Sequence, residues 1–526
     1  MAEGSRPGRR PKLRGVNPVQ SNNSSPRADD DGGEFVDERR GPSDSGRPSL
    51  RNARGHQRGA ARARNAGQRS QAAPGQRQRE TDPARQLAFE VLRDVNESDA
   101  YANLILPPRL RRRNIVGRDA GFATELTYGT LRMQGRYDAI LAHCSDRPLS
   151  ELDPPVLIAL RLGAHQLLGM RVPPHAAVSE TVALARANIG AGPAQLINAV
   201  LRKVDQHSLD EWISILEDDA KNETEALAFV QSHPVWIVRA LREALVGNGH
   251  NASETAELLE ADNQPPKVTL AVRPGLATAG EIETENVDVE PGKLAPTAQI
   301  LTHGDPARLE AVQEGRIGIQ DEGSQLVTLK FADAAIDGPD KRWLDMCAGP
   351  GGKAALLGAI AAERGATVLA NEISEHRARL VADSMRAVPE AAIETIRTGD
   401  ARDLATLEPS AFDRVLLDAP CSGLGALRRR PESRWRRQPG DIATLRQLQV
   451  ELLTAALQTV RPGGIVGYVT CSPHLAETKT VVDDVLRKAA KGDAPAATIR
   501  ETLQLWPHTD QTDAMFLTLL ERDIVS

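Results

Sequence analysis

The chain has 526 residues, 40% hydrophobic and 26% charged, a balance that supports two or three domains with full cores and holds no apolar run near the ~20 residues a bilayer span needs. Its formal charge of −6 conceals an asymmetry: residues 1–80 carry 17 Arg+Lys against 9 Asp+Glu, while the rest of the chain is acidic. Four scattered cysteines, Cys144, Cys347, Cys421 and Cys471, do not make a disulfide framework and lack zinc-ligand spacing. No metal is therefore expected, and a reduced, cytoplasmic setting would leave the thiols free.

Residues 1–80 are rich in Arg, Gly, Ser, Pro, Asn and Gln and too poor in apolar groups to offset ordering entropy, which predicts a disordered Arg/Gly-rich head. Loose phosphate contact with RNA and a merely solubilising role suit that composition about equally. From residue 82 to 206 apolar residues recur at three-to-four spacing, opening at Thr81-Asp82-Pro83 and punctuated by Pro107-Pro108, Pro154-Pro155 and Pro173-Pro174. This predicts an all-α domain, continued by a helical connector over 207–262. Lys267-Val-Thr-Leu-Ala-Val-Arg273 and Gly315-Arg-Ile-Gly-Ile319 read as strands of a small α+β subdomain over 263–325. Over 326–526 strands and helices alternate, as in a Rossmann-like, mostly parallel, doubly wound sheet.

The turn after the first of these strands is Cys347-Ala348-Gly349-Pro350-Gly351-Gly352-Lys353. Its small residues let backbone N–H groups approach a ligand at a helix N-terminus. It is not a Walker A loop, because Ala354 stands where that motif needs a hydroxyl, nor is it a dinucleotide G-x-G-x-x-G. Glu372 follows about 20 residues on, at a strand end where an acid can bind ribose hydroxyls. Asp400 follows the third strand, placed to reach an adenine edge. Acids at successive strand ends describe a nucleoside-containing ligand.

Cys421 ends Asp413-Arg-Val-Leu-Leu-Asp418-Ala-Pro-Cys421 and Cys471 ends Gly464-Ile-Val-Gly-Tyr-Val-Thr-Cys471. Two thiols at the carboxyl edge of a sheet suit nucleophilic chemistry on a bound substrate. Their residue pattern alone does not rank them. Cys144, on an apolar helical stretch, reads as a packing residue. His474 reads as a satisfied loop histidine. Leu427-Arg428-Arg429-Arg430-Pro-Glu-Ser-Arg434-Trp435-Arg436-Arg437 joins six arginines to a tryptophan beside the second motif, suited to phosphate contact and base stacking. Arg109-Leu-Arg-Arg-Arg113 is a second basic run.

The Cys347–Lys353 loop, Asp418-Ala-Pro-Cys-Ser-Gly423 and Tyr468-Val-Thr-Cys-Ser472 together resemble the RNA cytosine-C5 methyltransferase family. The helical front and Gln320-Asp-Glu-Gly-Ser-Gln325 resemble its ribosomal RNA small subunit methyltransferase B (Sun/Fmu) branch, whose front domain has the NusB fold, an RNA-binding module. The resemblance covers roughly residues 82–526. It implies an enzyme that uses S-adenosyl-L-methionine, held by 347–353, Glu372, Asp400 and Asp418, to make 5-methylcytosine in small-subunit (16S) ribosomal RNA. It further implies that Cys471 attacks the base, Cys421 assists product release and Asp418 faces N3. Lys353 would pair with Asp418 or Asp345. A monomer is expected. The same chemistry on tRNA, and a non-catalytic RNA-binding or ribosome-assembly factor, stand as the alternatives. Two positions depart from the family: Glu372 replaces the common Asp, and Gly349 the usual Ala or Ser. Near the end, Gln511-Thr-Asp-Ala-Met-Phe516 replaces the usual Gly-Asp-Gly-Phe-Phe.

Overall fold

The computed structural model describes residues 81–98, 100–282 and 287–524. The expected disordered head therefore lies outside the described residues. The first helix, Pro83–Glu97, starts because Asp82 accepts from the Arg85 N–H at 2.8 Å and Pro83 fixes the opening turn. It buries Leu87, Ala88, Val91, Leu92 and Val95. Against that stripe pack the helices Gly117–Arg132, Gln134–Cys144, Pro154–Leu168, Pro174–Asn188 and Ala191–Val204, whose Leu126, Tyr137, Leu162 and Leu201 share the same core. Cys144 closes one of these helices inside the core, where burial pushes its thiol up to about 11. It is a packing residue.

Four more helices follow: Leu209–Asp219, Glu223–Val230, Val235–Gly247 and Thr255–Asp262. The last two bury Ile237, Leu241, Leu245, Leu258 and Leu259 against Leu424, Leu427 and Trp506 from the C-terminal part of the chain. This stretch is thus core and not spacer. A four-stranded antiparallel sheet comes next, built from β1 (Thr269–Val272), β2 (Asp288–Pro291), β3 (Ala298–His303) and β4 (Ile317–Ile319) in the order β2-β3-β1-β4.

Residues 320–325 join that sheet to the next domain. Asp321 caps the helix Glu322–Asp333, Glu322 accepts from the Ala295 N–H at 3.0 Å, and buried Gln325 donates to Gln320 O and accepts from Thr297. The break expected between 325 and 326 accordingly falls inside a helix, whose first turn holds the small sheet and whose body packs under the large one.

The large sheet comprises β5 (Arg342–Asp345), β6 (Thr367–Glu372), β7 (Ile393–Thr398), β8 (Phe412–Asp418), β9 (Val460–Thr470), β10 (Ala497–Gln504) and β11 (Phe516–Arg522), ordered β10-β11-β9-β8-β5-β6-β7. β5 to β9 are parallel, whereas β11 runs antiparallel to both β9 and β10. Alternate residues bury on opposite faces. Leu344, Val415 and Val466 meet the helices Pro439–Thr459 and Lys479–Ala490, while Trp343, Leu416 and Ile465 meet Glu322–Asp333 and Gly352–Arg364. The chain winds from β5 through β7 to one side, then to β8 and β9 on the other. A crevice must therefore open at the carboxyl ends of β5 and β8. Among the described residues no helix is long and apolar enough to cross a membrane.

Candidate active site

A cavity of ≈ 490 Å³ occupies that crevice, within the size range of small-molecule sites. Its lining brings together Cys347, Gly349, Pro350, Glu372, Asp400, Asp418, Cys421 and Cys471, which the sequence scatters over 125 positions. The loops are pinned by Asn371, whose side chain donates to Met346 O at 3.1 Å and Gly399 O at 3.2 Å. Glu372 is buried; one carboxylate oxygen accepts from the Gly349 N–H and the other from the Ser374 N–H, each at 3.0 Å. A Cβ on residue 349 would lie 2.3 Å from that first oxygen, so any side chain there would have to displace the Glu372 carboxylate. Asp400 is held by Arg402 at 2.6 Å. The Cys347 thiol is pushed up by burial and by the neighbouring acids, which leaves it a wall of the cavity and not a nucleophile.

At the other end of the cavity the two motif cysteines meet, Sγ to Sγ 3.3 Å apart and unbonded. Their surroundings differ. The hydrogen bond with Cys471, then burial, then the negative charges of Cys471, Glu477 and Asp418 hold the Cys421 thiol well above the ordinary value. Cys471 is lowered, first by the hydrogen bond from Cys421 and also by the Lys353 ammonium, against burial and Asp418. The pair is thus asymmetric: the same hydrogen bond favours the ionised form of Cys471 and the protonated form of Cys421. Lys353 Nζ stands 2.8 Å from Asp418 Oδ2. Burial opposes its ammonium, but Asp418 outweighs that and raises it. Burial lifts the Asp345 carboxyl behind this pair to about 7, with Asp418 adding to the rise. His474 Nδ1 accepts from the Ala476 N–H and serves the loop.

A further residue, Glu477, ties the two cysteine motifs together. Fully buried, it accepts from the Ser422 N–H at 2.7 Å, from Ser472 Oγ at 2.7 Å, from Gln449 Nε2 at 3.2 Å and from Ser422 Oγ. The chain after Cys421 then passes so close to two other segments that a Cβ on Gly425 would sit 2.9 Å from Cys471 O and 2.3 Å from Ala514 O. Nothing in the residue pattern singles out Glu477, whose partners at 422, 449 and 472 meet only in the fold. Asp513 forms an ion pair with Arg429 beside Cys471. Burial lifts Asp513 to about 6, against the pull of Arg429.

Most of the arginine run, whose composition suggested RNA contact, turns inward. Arg434 is fully buried and donates to Arg132 O at 2.9 Å, Ser232 O at 3.2 Å, Asp262 O at 2.8 Å and Asn263 Oδ1 at 2.7 Å, all in the helical part. Arg436 donates to Val95 O and Ala100 O, each at 2.7 Å. Trp435 lies over Gly135. Arg428 is buried, donating to Gln511 O at 3.0 Å. These groups saturate internal acceptors because helix ends present unpaired carbonyls that only such donors can reach. Arg430 and Arg437 remain on the cavity rim, where they are joined by Tyr101 from the helical domain. In the second basic run, Arg109 and Arg113 pair with Asp94 and Glu90.

A parallel sheet flanked by an antiparallel terminal hairpin, with a glycine-rich turn after its first strand and acids at the next strand ends, defines a Rossmann-like methyltransferase. Residues 336–521 match the family model for the 16S rRNA methyltransferase RsmB/F, and residues 82–206 match that of the NusB family. The Mycobacterium tuberculosis protein Rv1407, whose name records a methyltransferase without its substrate, is 48% identical over 85% of this chain and 98% of its own. Ribosomal RNA small subunit methyltransferase B of Salmonella heidelberg is 31% identical over 80% of this chain and 92% of its own. The solved structure of PH0851 superposes with a TM-score of 0.70 at 22% identity, covering 84% of this chain and 99% of that one, a likeness of fold. The chain belongs to the RsmB/F family of ribosomal RNA methyltransferases, with a NusB-like domain ahead of its Rossmann-like catalytic domain.

Proposed function

We propose that this protein methylates cytosine C5 in small-subunit (16S) ribosomal RNA through a covalent bond between Cys471 and C6 of the base. The asymmetric thiol pair carries the reading: 3.3 Å apart, one thiol is lowered by the hydrogen bond from its neighbour and by Lys353, and the other is held well above its ordinary value. Cytosine C5 is a poor nucleophile until a thiolate adds at C6 and leaves C5 with enamine character. Cys471 supplies that thiolate. Asp418 faces N3 and promotes the addition by hydrogen bonding, held in place by Lys353. Once the Cys471 sulfur is bonded to C6, its hydrogen bond and its charge no longer raise Cys421. Cys421, tied by Glu477 through Ser422 to the same frame, can then give up its proton to solvent and take the C5 proton as the C6–sulfur bond breaks and returns the Cys471 thiolate.

The 347–353 loop, Glu372 and Asp400 suit S-adenosyl-L-methionine: a helix N-terminus, a buried acid for ribose hydroxyls and a cavity of matching size. When bound there, it supplies the electrophilic methyl group that C5 takes up. RNA is the partner, the cytoplasm the expected place of work, and a monomer the expected form.

Cys421→Ala should accumulate an RNA–protein adduct that survives denaturing gels, and Cys471→Ala should form none; the reverse pattern would exchange their roles. Asp418→Asn should lower kcat by about 10²–10⁴-fold. Bisulfite mapping of ribosomal RNA from a strain lacking the protein should lose one methylated cytosine in the small subunit, and an unchanged map would sink that substrate.

A further inference from the structure

The helical domain reaches into the catalytic cavity at a single aromatic residue, Tyr101. Its backbone is clasped from the catalytic side on both flanks. Arg436 donates to Ala100 O at 2.7 Å, and Glu432 accepts from the Ala102 N–H at 3.0 Å. The ring is half-buried and lies between two guanidinium groups, those of Arg430 and Arg436, each 5.0 Å from its centre. Arg430 is exposed. Arg437, next along the rim, donates to Ser422 O at 3.1 Å, one residue beyond Cys421.

Tyr101 thus shares the cavity wall with Arg430 and with Arg437, whose guanidinium holds the backbone next to Cys421. A ring that merely sealed the domain interface would be covered, whereas this one forms cavity wall. A π-face flanked by cations beside a base-modifying thiol is what single-stranded nucleic acid uses for stacking and phosphate neutralisation together. The target base must leave its stack to reach Cys471, and its neighbour then exposes a face of its own.

We propose that Tyr101 is a stacking platform for the nucleotide flanking the target cytosine, so that the helical domain supplies part of the catalytic RNA site. This rests on the RNA methyltransferase reading above. The test compares Tyr101→Leu, Tyr101→Phe and Arg430→Gln with the wild type in the full chain. Binding is read by anisotropy of a short fluorescein-labelled single-stranded RNA, turnover on deproteinised small-subunit RNA, and cofactor affinity by calorimetry with S-adenosyl-L-methionine. Tyr101→Leu should weaken RNA binding and raise the KM for RNA roughly tenfold, the loss of one base stack, with kcat and cofactor affinity within about twofold. Tyr101→Phe should keep RNA affinity near wild type.

RNA affinity unchanged in Tyr101→Leu, or a loss of cofactor affinity equal to that of RNA, would overturn the proposal. Should Tyr101→Leu fail to fold, Arg430→Gln decides. It leaves the Glu432 and Arg436 clasp intact, should weaken RNA binding and flatten its salt dependence by about one phosphate contact, and overturns the proposal if it does neither. If the wild type binds RNA but leaves no 5-methylcytosine, the function proposed above falls while the anisotropy comparison still judges Tyr101.

Discussion

Gly349 and Glu372 look like two independent departures from the family pattern, one shorter and one longer than usual, yet they are a pair. The extra methylene of Glu372 carries its oxygen into the space that an alanine methyl at 349 would fill, and the Gly349 N–H binds it there. Gly349→Ala alone should therefore weaken binding of S-adenosyl-L-methionine by about tenfold or more, an overpacking cost of about 1–3 kcal/mol, and Glu372→Asp added to it should restore the affinity. Calorimetry checks this, and a double variant no better than the single one refutes it. The thiols give a second residue-scale expectation. Cys471 is lowered chiefly by the hydrogen bond from Cys421, so Cys421→Ala must raise it. Iodoacetamide alkylation of Cys471, followed by mass spectrometry, should shift to higher pH in that variant, slowing about tenfold at neutral pH for each unit moved. An unmoved profile would refute the hydrogen bond's role. Both cysteines and the glycine-rich loop were legible because their chemistry is carried by the residue type itself. Glu477 was not, because a glutamate acquires its role only when the fold brings Ser422 and Ser472 to it.

The segment 428–437 shows what an element's composition conceals. A run of arginines has the same sequence whether its partners are phosphates, water or the frayed ends of buried helices. Only the packing of the helices ending at Arg132 and Asp262 turns Arg434 inward. Burial lowers the Arg434 guanidinium to about 10, and Asp262 offsets part of that loss. Arg434→Met would leave Asp262 buried without its cation and strand three carbonyls. It should cost about 3 kcal/mol or more in urea unfolding, and a loss below about 1 kcal/mol would show that the segment braces nothing. The strand elements show a milder version of the same limit. Period and apolar content placed β5 to β9, but β10 is a largely exposed edge strand without an apolar run, and residue type does not record the direction of β11, so the antiparallel terminal hairpin was not visible.

For the whole molecule, the order of domains was readable because hydrophobic period changes from helical to alternating near residue 263, whereas their union was not. The connector's apolar stripes bury against Leu424 and Trp506, and Arg434 crosses the other way. Residues 263–526 expressed alone should consequently melt at lower temperature than the intact chain and regain stability when 79–262 is added in trans; equal melting temperatures would show two autonomous modules. The same crossing sets where mutation can be tolerated. Three of the four groups that receive Arg434 are main-chain carbonyls, which every amino acid carries, and only Asn263 contributes a side chain. The acceptors at 132, 232 and 262 are therefore offered whatever side chain those positions carry, whereas the donor depends on Arg434 itself. That one contact is specified by a single side chain, beside an apolar seam that the sequences of both halves specify.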